Sequence, residues 1–193
     1  MTAESILKVY ALATPEEIMA GNAWYDDALI LADLLSHGAD HRPAVTPGMA
    51  AGVIAALSPL TPWERNKELA IRAIVDHKAS STLGNSVRAA DRILAGEDVL
   101  TVLKSDKVRN FYLSILGDRD AVCIDRHAWE VYEGVRYADK DRPTVTKKRY
   151  REAADAYREA AISTGESATA LQAITWLVWR RIHLTGTQYE RFL

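Results

Sequence analysis

The chain has 193 residues, of which 48% are apolar and 26% are charged. This is an ordinary globular composition, and the length suffices for one sizeable core or two small lobes. The net charge of -2 argues against a general polyanion-binding protein, and the single cysteine, Cys123, excludes an internal disulfide and an iron–sulfur cluster. Because no apolar run approaches the roughly 20 residues of a membrane-spanning helix, we expect a soluble, cytoplasmic protein without a membrane partner.

Charge is unevenly distributed along the chain. Residues 1–60 carry 2 basic and 7 acidic side chains, whereas residues 142–193 carry 9 basic and 5 acidic ones. If one part of the chain contacts nucleic acid, the basic last quarter is the better candidate; a solvated helix with excess base is the alternative. Its basic residues include Arg142, Lys147, Lys148, Arg149, Arg151, Arg158, Arg180 and Arg181.

Three Thr-Pro pairs predict helix starts in the first third of the chain, at Thr14-Pro15, Thr46-Pro47 and Thr61-Pro62. In each pair the threonine hydroxyl can cap a helix, and the proline suits the first helical turn. Glu17 and Glu64 follow the first and third threonines by three residues, which predicts two capping boxes.

Helical spacing of apolar residues continues along the rest of the chain, so we predict an all-α protein. Ala121 to Ile124 is the one run that resembles a strand, and we interpret it as a buried extended connection. We interpret Trp176 and Trp179 as core residues of the last helix, rather than as a platform for stacking bases. Beyond the three starts above, the predicted helical ranges are 62–77, 86–95, 107–116, 125–134, 146–162 and 166–183.

Lys107 follows the polar sequence Lys104-Ser105-Asp106, so we place it in the first turn of a helix. The positive end of the helix dipole disfavours an ammonium group there, which favours the free amine. A free lysine amine is a nucleophile that forms Schiff bases with electrophilic carbons. The alternative is an ordinary surface lysine.

Asp125 ends the apolar run at Ile124 and begins the next helical stretch, which is an N-cap position. A carboxylate beside apolar and aromatic side chains, such as Trp129, can stabilise a developing cation more strongly than one in water. A purely structural N-cap is the alternative. His127 would project in another direction if the helix begins at residue 125, but we retain it as a candidate contact to substrate.

Three segments together resemble the helix-hairpin-helix DNA glycosylases. The segment from Lys107 to Asp125 is similar in order and spacing to that family's hairpin lysine and catalytic aspartate, and Ile124-Asp125-Arg126-His127 is similar to its Val-Asp-Thr-His type sequence. The helix, break and helix over 53–66 resembles the element that carries a Leu-Ser-Gln-Gln-Thr type sequence into DNA. Leu103-Lys104-Ser105 stands where the family's hairpin has glycines.

The resemblance implies a two-lobed helical fold, with one lobe at about 46–124 and the other at about 1–45 plus 125–193, acting as a monomer. It implies a DNA glycosylase, with or without AP-lyase activity, on duplex DNA with a flipped base and without a metal or cofactor. Asp125 would stabilise the cationic sugar, and Lys107 would attack the sugar carbon. The residues expected to contact DNA are Ser58, Leu60, Thr61, Lys104, Ser105, Arg109, Arg126 and His127, with Leu60 filling the space of the flipped base.

Two alternatives remain open. Some bacteriophage relatives of this superfamily are thought to modify hydroxymethylated thymine in DNA instead of removing bases, and the missing hairpin glycines suit such a divergent enzyme. The other alternative is a non-catalytic module that binds DNA or a protein partner, which the modest net charge suits.

Overall fold

The computed structural model describes residues 3–37 and 44–183, and within these ranges the protein is helical and has no β-strand. The all-α prediction is therefore confirmed. The α-helices in chain order are α1 (Ala3–Tyr10), α2 (Pro15–His37), α3 (Pro47–Leu57), α4 (Trp63–Val75), α5 (Gly84–Leu94), α6 (Val99–Val102), α7 (Asp106–Ile115), α8 (Arg126–Glu133), α9 (Lys147–Thr164) and α10 (Ala168–His183). A short 3₁₀ turn, Asp139–Asp141, separates α8 from α9.

The helices form two compact units. Of the described residues, unit 1 contains 3–25 and 118–183, and unit 2 contains 26–37 and 44–117. The division thus follows residues 25 and 117, whereas the resemblance implied lobes divided near residues 46 and 124. No helix in the described ranges combines the length and apolar character needed to cross a membrane.

Unit 2 is built around α3, whose residues from Ala50 to Leu57 are all buried. It packs against α4, α5 and α7. The Thr46 hydroxyl accepts a hydrogen bond from Met49 N at 3.1 Å, which confirms the predicted cap at the start of α3. Burial on every side explains why α3 is apolar nearly throughout, because a helix surrounded by other helices has no face left for polar residues.

Unit 1 has a core formed by α1, α8, α9 and α10, with Trp129 and Tyr157 among its largest fully buried side chains. The predicted capping box at the start of α2 is confirmed. Thr14 N donates to Glu17 Oε2 at 2.9 Å, and Glu17 N donates to Thr14 Oγ1 at 3.3 Å. Glu17 is buried and also pairs with Arg181 of α10 at 2.8 Å, so this cap ties α2 to the last helix.

The predicted cap at Thr61 is wrong, because a tight turn occupies its place. Thr61 N donates to Ser58 O at 3.1 Å, and the Thr61 hydroxyl donates to Pro59 O at 3.1 Å instead of capping a helix. Pro62 is extended, with φ -58° and ψ 149°, so α4 begins one residue later, at Trp63. Because of this turn, α4 begins after Pro62, and Leu60 lies at the tip of the turn.

Candidate active site

The segment 121–124, called the strap below, leads to Asp125 at the start of α8; it is buried, as predicted, and belongs to no helix or strand. Side chains of α9 and α10 replace the missing strand partners of the strap. The Tyr150 hydroxyl accepts from Ile124 N at 3.1 Å and donates to Val122 O at 2.8 Å, while the Thr169 hydroxyl lies 2.7 Å from Ala121 O. Buried backbone groups need such partners, and these bonds fix the position at which α8 starts.

Asp125 caps α8, and each of its carboxylate oxygens accepts a hydrogen bond. Oδ1 accepts from Ala128 N at 2.8 Å, and Oδ2 accepts from Trp176 Nε1 of α10 at 3.1 Å. The predicted N-cap is thus confirmed, but the second bond goes beyond what a cap requires. Because the Asp125 side chain is only half-buried, a held carboxylate remains within reach of another molecule.

Trp176 connects this carboxylate to further aromatic and cationic side chains of unit 1. The Arg180 guanidinium lies over the Trp176 ring, 4.4 Å from its centroid, and Trp24 of α2 approaches the same ring at a centroid distance of 5.2 Å. Both tryptophans are half-buried. The core interpretation is therefore wrong for Trp176, whereas Trp179 is buried as expected.

Burial lowers the pKa of Arg180, the Asp125 carboxylate opposes that shift, and Arg126 adds to it. An arginine keeps its charge throughout the physiological range. Two positive charges therefore lie near Asp125: the half-buried Arg180 and the exposed Arg126. Such groups suit phosphate oxygens, which guanidinium binds in a bidentate fashion.

His127 is held in its neutral form beside these groups. Burial lowers its pKa, Asp125 opposes the shift, and Arg126 and Arg180 reinforce it. His127 Nε2 accepts from Arg126 Nε at 3.2 Å, so the ring proton lies on Nδ1, which is 3.6 Å from Glu130 Oε2. Its ring also meets Trp176 edge-on, at a centroid distance of 6.2 Å.

Glu130 is the buried carboxylate of this part of the molecule. It is 4% exposed, and its two oxygens accept from Trp179 Nε1 at 2.9 Å and from Tyr137 N at 3.3 Å. These bonds satisfy the group inside the core and keep it away from solvent. Of the two carboxylates, Asp125 is consequently the one that another molecule can reach, whereas Glu130 stabilises the core.

The remaining predicted site residues lie in unit 2. Lys107 is the second residue of α7 and is half-buried, as the first-turn prediction requires. Lys104 and Ser105 are exposed, and the Ser105 side chain makes no cap bond although the residue holds the N-cap position. Arg109 donates to Leu100 O at 3.0 Å, so its guanidinium helps to fasten α6 to α7.

The turn over Ser58–Thr61 presents Leu60 to solvent. Leu60 is 85% exposed and has a φ of 57°, a left-handed conformation that a leucine rarely adopts. The Ser58 hydroxyl donates to Ala55 O at 2.9 Å. Trp63 follows this turn and meets Phe111 of α7 edge-on at 6.5 Å, so the turn is connected to the helix that carries Lys107.

Unit 1 therefore brings together Asp125, Arg126 and His127, while unit 2 holds the other predicted residues. Sequence reasoning missed Trp176 and Trp24 as neighbours of the aspartate. One signal was available: Trp176 and Arg180 are spaced i, i+4, which places a cation on the face of α10 that carries a tryptophan. In the described parts of the chain, no group of three or more His, Cys, Asp or Glu side chains is arranged to hold a metal ion.

Comparison with known proteins gives a family match alone. Residues 1–183 match the model of a family of unknown function (DUF7178). No curated protein and no solved structure matches the chain.

Proposed function

We propose that the chain, which belongs to the DUF7178 family, is a DNA glycosylase-like enzyme of the helix-hairpin-helix type, with Asp125 as its catalytic carboxylate. The single observation that carries the proposal is the setting of Asp125. It is half-buried, it is held through both oxygens by Ala128 N and Trp176 Nε1, and arginines lie nearby. A purely structural N-cap needs the first of these bonds and none of the rest.

This setting suits cleavage of the bond between a base and its sugar. As the base leaves with the bonding electrons, positive charge develops on the sugar ring, and a fixed carboxylate stabilises that charge without having to reorient. The N–H groups of Ala128 and Trp176 hold both oxygens of the Asp125 carboxylate in place. Asp125 can then accept a proton from the group that attacks the sugar. Arg126, which is exposed, can contact backbone phosphates.

The exposed Leu60 supports the same proposal from unit 2. An apolar side chain that is 85% exposed on a strained turn has no role in the core of its own unit. Apolar side chains of this kind are suited to insertion between base pairs, where they occupy the space of an extruded base. The prolines on either side of the Leu60–Thr61 pair stiffen the turn, which lowers the entropy lost on insertion.

The segment from α6 to α7 serves as the hairpin element in this proposal. Two helices joined by Leu103, Lys104 and Ser105 present exposed polar side chains at the start of α7. Backbone N–H groups at a helix start attract phosphate, and the Lys104 charge adds to that attraction. Lys107, one turn further, supplies the amine for a bifunctional reaction.

Borohydride trapping tests the proposal. Purified protein is incubated with duplexes that contain an abasic site or one of a panel of altered bases, including hydroxymethylated thymine. In a bifunctional enzyme the Lys107 amine forms a bond to the sugar carbon as the bond from that carbon to the base breaks. The bond from the same carbon to the ring oxygen then breaks, the oxygen takes up a proton, and an imine remains. Borohydride reduces this imine to a stable covalent adduct. We expect base release, with any adduct lost in Lys107→Ala and kept in the control variant Lys78→Ala, which replaces an exposed lysine of the same unit.

The other outcomes are distinct. Base release that survives Lys107→Ala and is lost in Asp125→Asn indicates a monofunctional enzyme. A mass gain of hydroxymethylated thymine without base loss, in a reaction that also contains a small-molecule donor of the added group, favours the DNA-modifying alternative. DNA binding without either reaction, unaffected by Asp125→Asn, contradicts the proposal and favours a binding module.

A further inference from the structure

Trp176 and Trp179 of α10 donate their indole N–H groups to two different carboxylates. Trp176 donates to the half-buried Asp125 at 3.1 Å, whereas Trp179, three residues later on α10, donates to the buried Glu130 at 2.9 Å. The two bonds have the same chemistry. They differ in that the first acceptor is open to another molecule and the second belongs to the core.

We propose that Trp176 is the positioning residue of the Asp125 carboxylate. The bond from Ala128 N fixes only Oδ1, and a helix start offers such an N–H to any aspartate that caps it. The torsion that rotates a carboxylate about its Cβ–Cγ bond is soft, so a single bond leaves the plane of the group undetermined. The Trp176 N–H on Oδ2 sets that plane. This inference rests on the proposed function because it takes Asp125 as the catalytic group.

Trp176 is itself immobilised by its neighbours. Arg180 lies over its ring, Trp24 contacts it, and the adjacent α10 residues Thr175 and Leu177 are fully or almost fully buried. A ring that is already fixed by packing holds the carboxylate it binds in one orientation, and it loses little conformational entropy when it does so. The carboxylate orientation is thus set by packing that exists before any substrate binds.

The expected effect of losing this N–H is on the chemical step. A hydrogen bond to a charged group contributes enough free energy that, if it stabilises the transition state, its loss slows the reaction about 10-fold or more. Small displacements of a catalytic group can have effects of about 100-fold. Because Trp176 does not hold the substrate in this account, the affinity for DNA should stay unchanged.

The experiment replaces a single indole N–H by sulfur. Trp176 is exchanged for 3-benzothienylalanine, which keeps the ring shape and removes the donor, and the matched control has the same exchange at Trp179. We expect base release in single turnover to slow about 10-fold or more at Trp176 alone, with unchanged DNA affinity.

Equal rates for the Trp176 exchange and the unmodified protein would overturn the inference, as would equal losses at both positions. A second measurement needs no activity. In the free protein labelled with ¹⁵N, the Trp176 indole signal, assigned with Trp176→Phe, should exchange slowly with solvent and shift in Asp125→Asn. If no substrate is found but this signal behaves so, the proposed function fails while the positioning contact holds. Rapid exchange and no shift would overturn the contact itself.

Discussion

At Gly21, α2 packs closely against α10, and the same two helices carry Trp24 and Trp176 of the candidate site. A Cβ atom at this position would lie 2.7 Å from the backbone nitrogen of Ile174 in α10 and 2.8 Å from its Cα. Ordinary contacts of a Cβ begin at 3.4 Å, so Gly21→Ala would require α2 and α10 to separate by roughly 0.7 Å. Backbone cannot rotate away as a side chain can.

The magnitude follows from two opposing effects. Overpacking a filled site costs about 1–3 kcal/mol, and a clash with backbone belongs near the upper end. Alanine is a better helix former than glycine by about 1 kcal/mol, which offsets part of this cost. We therefore expect Gly21→Ala to lower the free energy of unfolding by about 1–2 kcal/mol.

Urea denaturation followed by circular dichroism measures this change. The matched control is Gly48→Ala in α3, where the nearest atoms lie at 3.7 Å and 3.8 Å; it should leave stability unchanged or raise it by up to about 1 kcal/mol. Because Trp24 follows Gly21 by one helical turn, tryptophan fluorescence should change in Gly21→Ala only. A Gly21→Ala protein as stable as the unmodified one would refute the close approach.

Two further predictions concern the turn and the histidines. Replacing Leu60 by glycine should raise the free energy of unfolding by about 0.5–1 kcal/mol, because the left-handed conformation strains leucine and little apolar surface is lost, yet it should slow base release. Unchanged stability and activity would contradict both parts. Burial lowers the pKa of His127 and of His183 below the ordinary value of 6.5, so the unfolded chain takes up protons first as the pH falls. The free energy of unfolding should therefore decrease as the pH falls below about 6.5, and well above that pH the two histidines should contribute nothing to it. In urea denaturation between about pH 7.5 and about pH 5.5, a protein with both histidines replaced by glutamine should show a smaller decrease. An unchanged decrease would contradict the lowered pKa values of the two histidines.

The local signals in the sequence predicted much of the helical structure. Thr14 and Thr46 cap helices as expected, because an N-cap depends on residues within one turn. The cap at Thr61 failed because the preceding Pro59 and Leu60 form a turn whose hydrogen bonds take over the threonine. The four-residue helix α6 was not predicted, since a helix so short has no apolar period to detect.

The candidate site was predictable only in part, for a related reason. Asp125 could be found from the sequence because a helix cap depends on residues within one turn, and because the apolar run that ends at Ile124 indicates where α8 begins. Its contact with Trp176 joins residues 51 positions apart and depends on how α8 packs against α10. Helical periodicity assigned Trp176 to the core because periodicity reports a face of the helix and does not identify what that face meets.

Single-turnover base release by Asp125→Asn, on the best duplex found in the panel, tests the catalytic role of Asp125 most directly. Asparagine is as good an N-cap as aspartate, so α8 should persist and thermal unfolding should be little changed. We expect base release to slow by about 100-fold to 1,000-fold while the affinity for DNA is preserved, because only the stabilising charge is removed. Release at the unmodified rate would contradict the role of Asp125 as the catalytic carboxylate.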